Sequence, residues 1–229
     1  MGLISCKCEG CELKSLFFKN FDTEEIEAVC SQKIERDYKK GEIILKEGEP
    51  IEEFIYLKNG LVKLFKSTNT EQDQIICFAG PLDFVSLLSV FSNNNYQYSV
   101  AAIEDSTACS MQLSKVNQSM NNNGLFARSI LEKMSETTDK ILKTTLELRQ
   151  RRLYGRVAYM LLFFSNEIYK SNEFELPVSR KEIAEFIGMT LENVIRTLSE
   201  LRKDNIIKIY GKGILITDKQ KLQKLSELS

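Results

Sequence analysis

The sequence predicts an α+β fold: an N-terminal antiparallel β-roll, a long dimerisation helix and a C-terminal winged helix-turn-helix. Three observations lead to this prediction. Short apolar runs separated by turn residues fill residues 37–116, a heptad pattern follows in residues 125–149, and residues 178–217 fit two capped helices and a hairpin. In chain order we predict a cysteine-containing N-terminal segment (1–18), the β-roll (19–122), the dimerisation helix (123–150) and the winged-helix domain (151–229).

The first twelve residues contain a cluster of three cysteines, Cys6, Cys8 and Cys11. Such a cluster is typical of a metal or iron-sulfur site that lacks one ligand, and a reduced, disordered tail is the alternative. The segment has neither the cationic start nor the apolar core of a secretory leader. We therefore expect a cytoplasmic protein, whose six cysteines are thiols, metal ligands or small buried residues rather than disulfides.

Residues 21–35 have the pattern of a helix capped by Asp22 or Thr23. Its inward face would carry Phe21, Ile26, Val29, Cys30 and Ile34. From residue 37 onwards, short runs predict the strands of a small antiparallel barrel or jelly roll, with turns at Gly41, Gly48, Gly60 and Gly80. Cys77 and Cys109 lie inside such runs, and we expect both to be packed.

Residues 125–149 carry apolar or threonine side chains at alternating spacings of three and four. The set comprises Leu131, Met134, Thr138, Ile141, Thr145 and Leu148. This heptad spacing predicts the contact between two copies of the helix in a homodimer, and packing of the helix on its own β-roll is the alternative. After the break at residues 149–152, a strongly apolar helix over residues 157–168 is predicted to be buried in the second domain.

Residues 178–207 predict two short helices joined by a tight turn. Ser179 and Glu182 fit a capping box, and Gly188 is suited to end the first helix. Thr190 fits the N-cap of a second helix with Asn193 at its third position. The buried side of that helix would carry Val194, Leu198 and Leu201. A helix-turn-helix of this kind places its second helix in the major groove of DNA.

The outward side of the second helix carries Glu192 and Arg196, four residues apart. An arginine can bond guanine O6 and N7, and a carboxylate can accept from cytosine N4; a solvated ion pair between the two side chains is the alternative. Arg180 and Lys181 are placed to bind phosphate, and the hairpin after Asn205 would form a wing with Lys212 at its tip. The residues expected to contact DNA are Ser179, Arg180, Lys181, Thr190, Glu192, Asn193, Arg196 and Lys212.

Charge and composition narrow the function further. Residues 140–229 contain 17 Lys and Arg against 11 Asp and Glu, whereas residues 1–139 contain 14 against 21, so the basic C-terminal part suits phosphate binding. The chain has no histidine, which excludes Ser-His-Asp and Cys-His catalysis, a His-bearing zinc hydrolase site and a His-ligated haem. No apolar run approaches the ~18 residues that cross a bilayer. We expect neither an enzyme nor a membrane partner.

These features together resemble the Crp/Fnr family of transcription regulators, which combine a β-roll of the cyclic-nucleotide-binding type with a long helix and a winged helix. The segments KKGEIILKEGEPIEEFIYLKNGLVKLF and SRKEIAEFIGMTLENVIRTLSELRKDNIIK carry the resemblance. It implies a homodimer that binds a palindromic site on double-stranded DNA and contacts RNA polymerase. It also implies base reading by Glu192 and Arg196, although members of the Fnr branch carry serine where this chain has Ile195.

The β-roll lacks the groups with which cyclic AMP-binding relatives hold their ligand. Those relatives use a Gly-Glu pair and an Arg-Ser pair, whereas this chain has Ser86-Leu87-Leu88 at the first position. Between Ser67 and Ser114 there is no Lys or Arg, and there are five acidic residues. The cyclic phosphate would lose a charge-assisted bond of roughly 1.5–3 kcal/mol. We therefore expect a signal other than cyclic AMP.

Oxygen-sensing members of the family bind a 4Fe-4S cluster through three N-terminal cysteines and one in the roll. The segment AIEDSTACSMQL resembles the context of the last ligand, at Cys109, and Cys8 and Cys11 match the family's C-x2-C. The family's third N-terminal ligand falls at Phe17, so Cys6 would have to replace it. Four alternatives stay open: an iron-sulfur sensor using Cys6, Cys8, Cys11 and Cys109, a zinc or thiol switch, a regulator with another signal, and a redox protein without a DNA role.

Overall fold

A computed structural model describes residues 4–5, 33–68 and 73–227 of the 229-residue chain. Two compact units are formed, with the bounds Met1–Ser67 plus Ile76–Lys140 and Thr68–Ile75 plus Ile141–Ser229. The first contains an antiparallel β-roll and the second a helix-turn-helix with a small sheet. The predicted α+β class and order of elements are therefore confirmed.

The β-roll consists of two four-stranded antiparallel sheets. The first has the order β1 (Ile4–Ser5), β2 (Ile34–Tyr38), β8 (Ser106–Gln112) and β4 (Glu53–Asn59). The second has the order β3 (Ile43–Leu45), β7 (Ser99–Ala102), β5 (Val62–Ser67) and β6 (Asp73–Ala79). At the turn between β4 and β5, Gly60 has φ +93°, and a Cβ there would lie 2.7 Å from the carbonyl oxygen of Asp105. Glycine alone fits this turn.

The space between the two sheets is filled by apolar side chains. They include Leu45, Ile55, Leu57, Val62, Leu64, Tyr98 and Val100. The polar groups in this interior bond to the backbone: the Tyr98 hydroxyl donates to the carbonyl oxygen of Val85 at 2.9 Å, and the fully buried Ser86 hydroxyl accepts from the amide of Ile55 at 2.9 Å. The interior is therefore packed and its hydroxyls are already bonded.

The helix predicted over residues 21–35 is wrong at its C-terminal end. Ile34 and Glu35 belong to β2, where they pair with Ser110 and Cys109 of β8. Pairing with neighbouring strands outweighs the helical spacing at these two positions, because the sheet on both sides satisfies their backbone groups. Residues 21–32 of that prediction lie outside the described residues.

Two helices follow the roll. Helix α1 (Leu113–Asn122) was not predicted, and the long predicted helix is α2 (Gly124–Gln150). The Asn123 side chain begins α2 by accepting from the amides of Leu125 and Phe126, both at 3.1 Å. Phe126 and Ile130 are buried in a second apolar cluster with Phe54, Tyr56, Cys109 and Met111 of the first sheet. The start of α2 thus packs on its own roll.

The predicted dimer seam is rotated relative to the exposed side of α2. Leu131, Thr138 and Thr145 are exposed and Ile141 is half-buried. Met134 packs against the cluster on the roll, and Leu148 is buried in the second unit. The exposed apolar residues near Leu131 on the helical wheel are Leu142 and Leu146. Met134 and Leu148 therefore make contacts within the chain, and the seam itself stays a prediction.

The second unit contains the predicted buried helix and the winged helix. Helix α3 (Leu153–Phe163) continues into one turn of π-helix (Phe164–Ile168). Strand β9 (Glu173–Glu175), helices α4 (Arg180–Ile187) and α5 (Leu191–Lys203), strands β10 (Ile207–Tyr210) and β11 (Gly213–Ile216), and helix α6 (Lys219–Glu227) follow. Helix α6 was not predicted; its Leu222 is buried. None of the helices within the described ranges is long and apolar enough to cross a membrane.

Candidate nucleic-acid interface

Helix α4 begins with the capping box that the sequence predicts. The Ser179 hydroxyl accepts from the amide of Glu182 at 3.2 Å, and the Glu182 carboxylate accepts from the amide of Ser179 at 2.8 Å. The hydroxyl also donates to that carboxylate at 2.9 Å. Ser179 therefore serves first as a helix cap, which fixes where α4 starts.

The turn between α4 and α5 depends on Gly188. This residue has φ +65°, in the left-handed region, and its amide donates to the carbonyl oxygen of Ala184. The guanidinium of Arg156 in α3 donates through Nη1 to the carbonyl oxygens of Ile187 and Gly188 at 3.2 and 3.4 Å. Its Nε donates to the carbonyl oxygen of Arg151 at 3.0 Å. Arg156, which the sequence analysis missed, thus ties α3 to the end of α4.

Helix α5 has one buried and one exposed side. Thr190 caps it by accepting from the amide of Asn193 at 3.3 Å. Its buried residues are Val194, Thr197, Leu198 and Leu201. Its exposed residues include Leu191, Glu192, Ile195, Arg196 and Ser199. The predicted cap and the predicted buried side are both present.

Glu192 and Arg196 are exposed on α5 but do not form the ion pair considered as the alternative. The Arg196 Nη2 instead donates to the Asn193 side-chain oxygen at 2.9 Å, one turn back along the helix. Among the described residues, Glu192 has no ion-pair partner. Both side chains can therefore present charged groups outwards.

The basic residues of the site lie on two other elements. Arg180 is half-buried at the start of α4, and Lys181 is exposed, with Nζ 3.8 Å from a Glu185 carboxylate oxygen. Strands β10 and β11 form the predicted hairpin, and its tip is Gly211-Lys212 with Lys212 exposed. Tyr210, 64% exposed beside this tip, was missed because an aromatic residue in a short apolar run indicates a strand rather than a surface.

Comparison with known proteins agrees with this geometry. A family model for a cyclic nucleotide-binding domain matches residues 35–123, and one for a Crp-like helix-turn-helix domain matches residues 155–225. Together the two matches cover more than two thirds of the chain. The chain belongs to the Crp/Fnr family. It is a DNA-binding transcription regulator of the Crp/Fnr type and not an enzyme.

Individual Crp/Fnr proteins are similar to this chain over almost their whole length. The transcriptional activator protein Anr of Pseudomonas aeruginosa is 24% identical over 96% of this chain and 92% of its own. The fumarate and nitrate reduction regulatory protein of Yersinia pestis is 22% identical over 96% of this chain and 90% of its own. The structure of FixK2 from Bradyrhizobium japonicum superposes with a TM-score of 0.76 and 26% identity, over 86% of this chain and 98% of FixK2.

The cysteines that the Fnr resemblance singles out are described only in part. Cys6, Cys8 and Cys11 lie outside the described residues, whereas Cys109 is fully buried in β8 within the apolar cluster on the roll. Within the described ranges, no group of three or more Cys, Asp or Glu residues is arranged to bind a metal. In this part of the chain, Cys109 therefore fits the expectation of a packed residue and does not by itself make a metal site.

Proposed function

We propose that two copies of this Crp/Fnr protein bind a palindromic DNA site, each through Glu192 and Arg196 of its α5 helix. The single observation that carries the proposal is the exposed side of α5, where both charged side chains stay outside any ion pair with each other. Guanidinium and carboxylate groups are the side chains that discriminate guanine and cytosine in the major groove. Because such a regulator acts on the chromosome, we propose that it works in the cytoplasm and contacts RNA polymerase.

Phosphate contacts would come from Arg180, Lys181 and Lys212. The first two lie at the start of α4, where the helix dipole also favours an anion, and Lys212 projects from the wing. Ser179, Thr190 and Asn193 act in this account mainly by holding α4, α5 and the Arg196 guanidinium in place. Their role in binding DNA is then one of positioning.

Selection of bound duplexes from a randomised library tests the proposal. A homodimer requires an enriched site with two inverted half-sites whose centres lie about 34 Å apart, one turn of DNA. Recovery of a single half-site, or of no sequence preference, would contradict the proposal. The selected duplex also serves as the operator in the experiments below.

The dimer contact is proposed to be the exposed apolar stripe of α2. Leu131, Leu142 and Leu146 are 60%, 54% and 48% exposed, and Thr138 and Thr145 lie beside them. On a helical wheel these five positions lie on one side, away from the side that carries Phe126 and Ile130. Pairing two such stripes would remove three leucines per chain from water, which favours association.

The signal is proposed to be other than cyclic AMP. Ser86, which stands where the family resemblance implies the Gly-Glu pair, is fully buried and its hydroxyl is bonded to the backbone of Ile55. The interior of the roll is filled by Leu64, Tyr98 and their neighbours. A cyclic nucleotide would therefore find no space in this packed interior. Titration calorimetry with cyclic AMP should give no heat of binding, and micromolar binding would refute this proposal.

A second candidate is that the signal is redox-linked and acts through the cysteines, and one observation favours it. The row Ile4, Glu35, Cys109 and Tyr56 runs in register across the first sheet. The backbone that leads into Cys6 therefore lies two strands, about 10 Å, from the backbone of Cys109. The pairing of β1 with β2 thus brings Ile4 and Ser5, which directly precede Cys6 in the sequence, into the sheet that contains Cys109.

Purification under strict exclusion of oxygen tests this second candidate. Visible absorption with about four iron and four sulfide per chain would support a 4Fe-4S cluster bound by cysteine thiolates. The Cys109→Ala variant should then lose it, while Cys77→Ala keeps it. Colourless protein that contains zinc would favour a zinc switch, and metal-free protein would leave a thiol switch or an unrelated signal.

A further inference from the structure

We infer that Ile195 reads the C5 methyl group of a thymine in the operator and so sets part of the DNA specificity. This inference rests on the proposed reading of DNA by α5. It concerns the residue that directly precedes Arg196 in the sequence.

Ile195 lies among the exposed residues of α5 and has no role in the core. It is 46% exposed, whereas Val194, Thr197, Leu198 and Leu201 form a complete buried side. On the helical wheel Ile195 falls between Leu191, which is 44% exposed, and Glu192. The Ile195 side chain would therefore enter the same major groove as Glu192 and Arg196. Its contact there is with a base edge rather than with the protein.

The hydroxyl of Ser199 and the guanidinium of Arg196 form hydrogen bonds directed away from the Ile195 side chain. The Ser199 hydroxyl donates to the Ile195 carbonyl oxygen at 2.9 Å, so its proton is used within the helix. The Arg196 guanidinium is held towards Asn193, on the side of the wheel away from Ile195. Ile195 and Leu191 therefore form an apolar strip on the exposed side of α5, with Glu192 and Ser199 next to it.

Only one apolar group is offered by the base edges of the major groove. It is the C5 methyl of thymine, whereas the other groups are hydrogen-bond donors and acceptors. An isoleucine against a polar edge would leave that edge without a partner, at a cost that disfavours the other bases. Ile195 therefore selects a T·A pair beside the pairs that Glu192 and Arg196 contact. In methylated DNA, 5-methylcytosine offers the same group.

The test replaces single thymines of the selected operator by deoxyuridine, which removes the methyl group alone. Each duplex carries one deoxyuridine, in one half-site only. At one thymine position, this substitution should weaken binding by the wild-type protein about 4-fold, the value for one buried methyl group. Ile195→Ala should bind the thymine and deoxyuridine duplexes equally. The control Ser199→Ala, on the same side of α5, should keep the wild-type ratio. A duplex with 5-methylcytosine at that position should bind more tightly than one with cytosine.

The outcomes separate this inference from the proposed function. If Arg196→Ala loses the operator but no thymine is sensitive to loss of its methyl group, or Ile195→Ala keeps the sensitivity, only the reading by Ile195 is overturned. If the wild-type protein selects no sequence, reading of bases by α5 is overturned as a whole. If 5-methylcytosine is bound no better than cytosine, the contact is not with the methyl group and the inference is overturned.

Discussion

Arg156 in α3 donates through Nη1 to the carbonyl oxygen of Ile187, the last residue of α4, at 3.2 Å. The same guanidinium reaches the carbonyl oxygens of Gly188 and Arg151. Carbonyl groups at the end of a helix have no partner within the helix. A cation placed there donates hydrogen bonds to them and also interacts favourably with the helix dipole. One side chain therefore fixes the turn from which α5 projects.

Arg156→Ala should lower the free energy of unfolding by about 1.5 kcal/mol, the low end for bonds from a charged donor, because the side chain is half exposed. The operator affinity should fall as well, since α5 loses support. Denaturant unfolding and fluorescence anisotropy measure the two effects. Arg152→Ala, an exposed neighbour at the start of α3, is the control and should change stability by less than about 0.5 kcal/mol. Equal losses in both variants would show that the bonds to the turn are unimportant.

The helix-turn-helix could be predicted because its determinants are local. Ser179 and Glu182 are three residues apart, and Gly188 alone permits the left-handed turn, so caps and helix ends follow from a short stretch of sequence. Arg156 could not be predicted in the same way. It lies 31 residues from Ile187 in the sequence, and an arginine in an apolar helix has no spacing that indicates its partner.

The rotation of α2 shows a second limit of sequence patterns. A heptad spacing predicts a stripe, but two neighbouring stripes can share Leu131, Thr138 and Thr145. The predicted seam adds Met134, Ile141 and Leu148 to these positions, whereas the exposed stripe adds Leu142 and Leu146. Phe126 and Ile130 precede the heptad pattern and pack on the roll, and this packing determines which side of α2 is exposed. Contacts from another part of the chain therefore choose the exposed side.

Leu142→Glu should convert the dimer into a monomer at micromolar protein concentration. A carboxylate in the paired stripe would have to be buried opposite its own copy, at a cost of several kcal/mol. Analytical ultracentrifugation measures the mass. Lys143→Glu introduces the same side chain at the next position, outside the stripe, and should leave the dimer intact. A dimeric Leu142→Glu protein would place the contact elsewhere.

Stability should fall between about pH 9 and pH 12 through Cys77. Burial raises the pKa of this thiol to about 12 from its ordinary value of 9.0, with the ammonium of Lys140 acting in the opposite direction. Above pH 9 the unfolded chain loses the proton while the folded chain retains it, so the unfolded state becomes favoured as pH rises.

The measurement for Cys77 compares denaturant unfolding of the wild-type protein and Cys77→Ala at pH 8 and pH 10. The wild-type protein should lose about 1 kcal/mol more than the variant over this interval. Other alkaline effects, such as those of buried tyrosines, occur in both proteins and cancel. An identical pH dependence in the two proteins would mean that the Cys77 thiol ionises normally in the folded state.

Base reading by α5 can be measured through the dissociation constants of the wild-type protein and Arg196→Ala. Two duplexes are compared, the selected operator and a mixed-sequence DNA of equal length. The loss of a guanidinium that contacts guanine should weaken operator binding by about 1–3 kcal/mol and leave mixed-sequence binding nearly unchanged. An equal loss on both duplexes would mean that Arg196 contacts only phosphate, and would contradict the account.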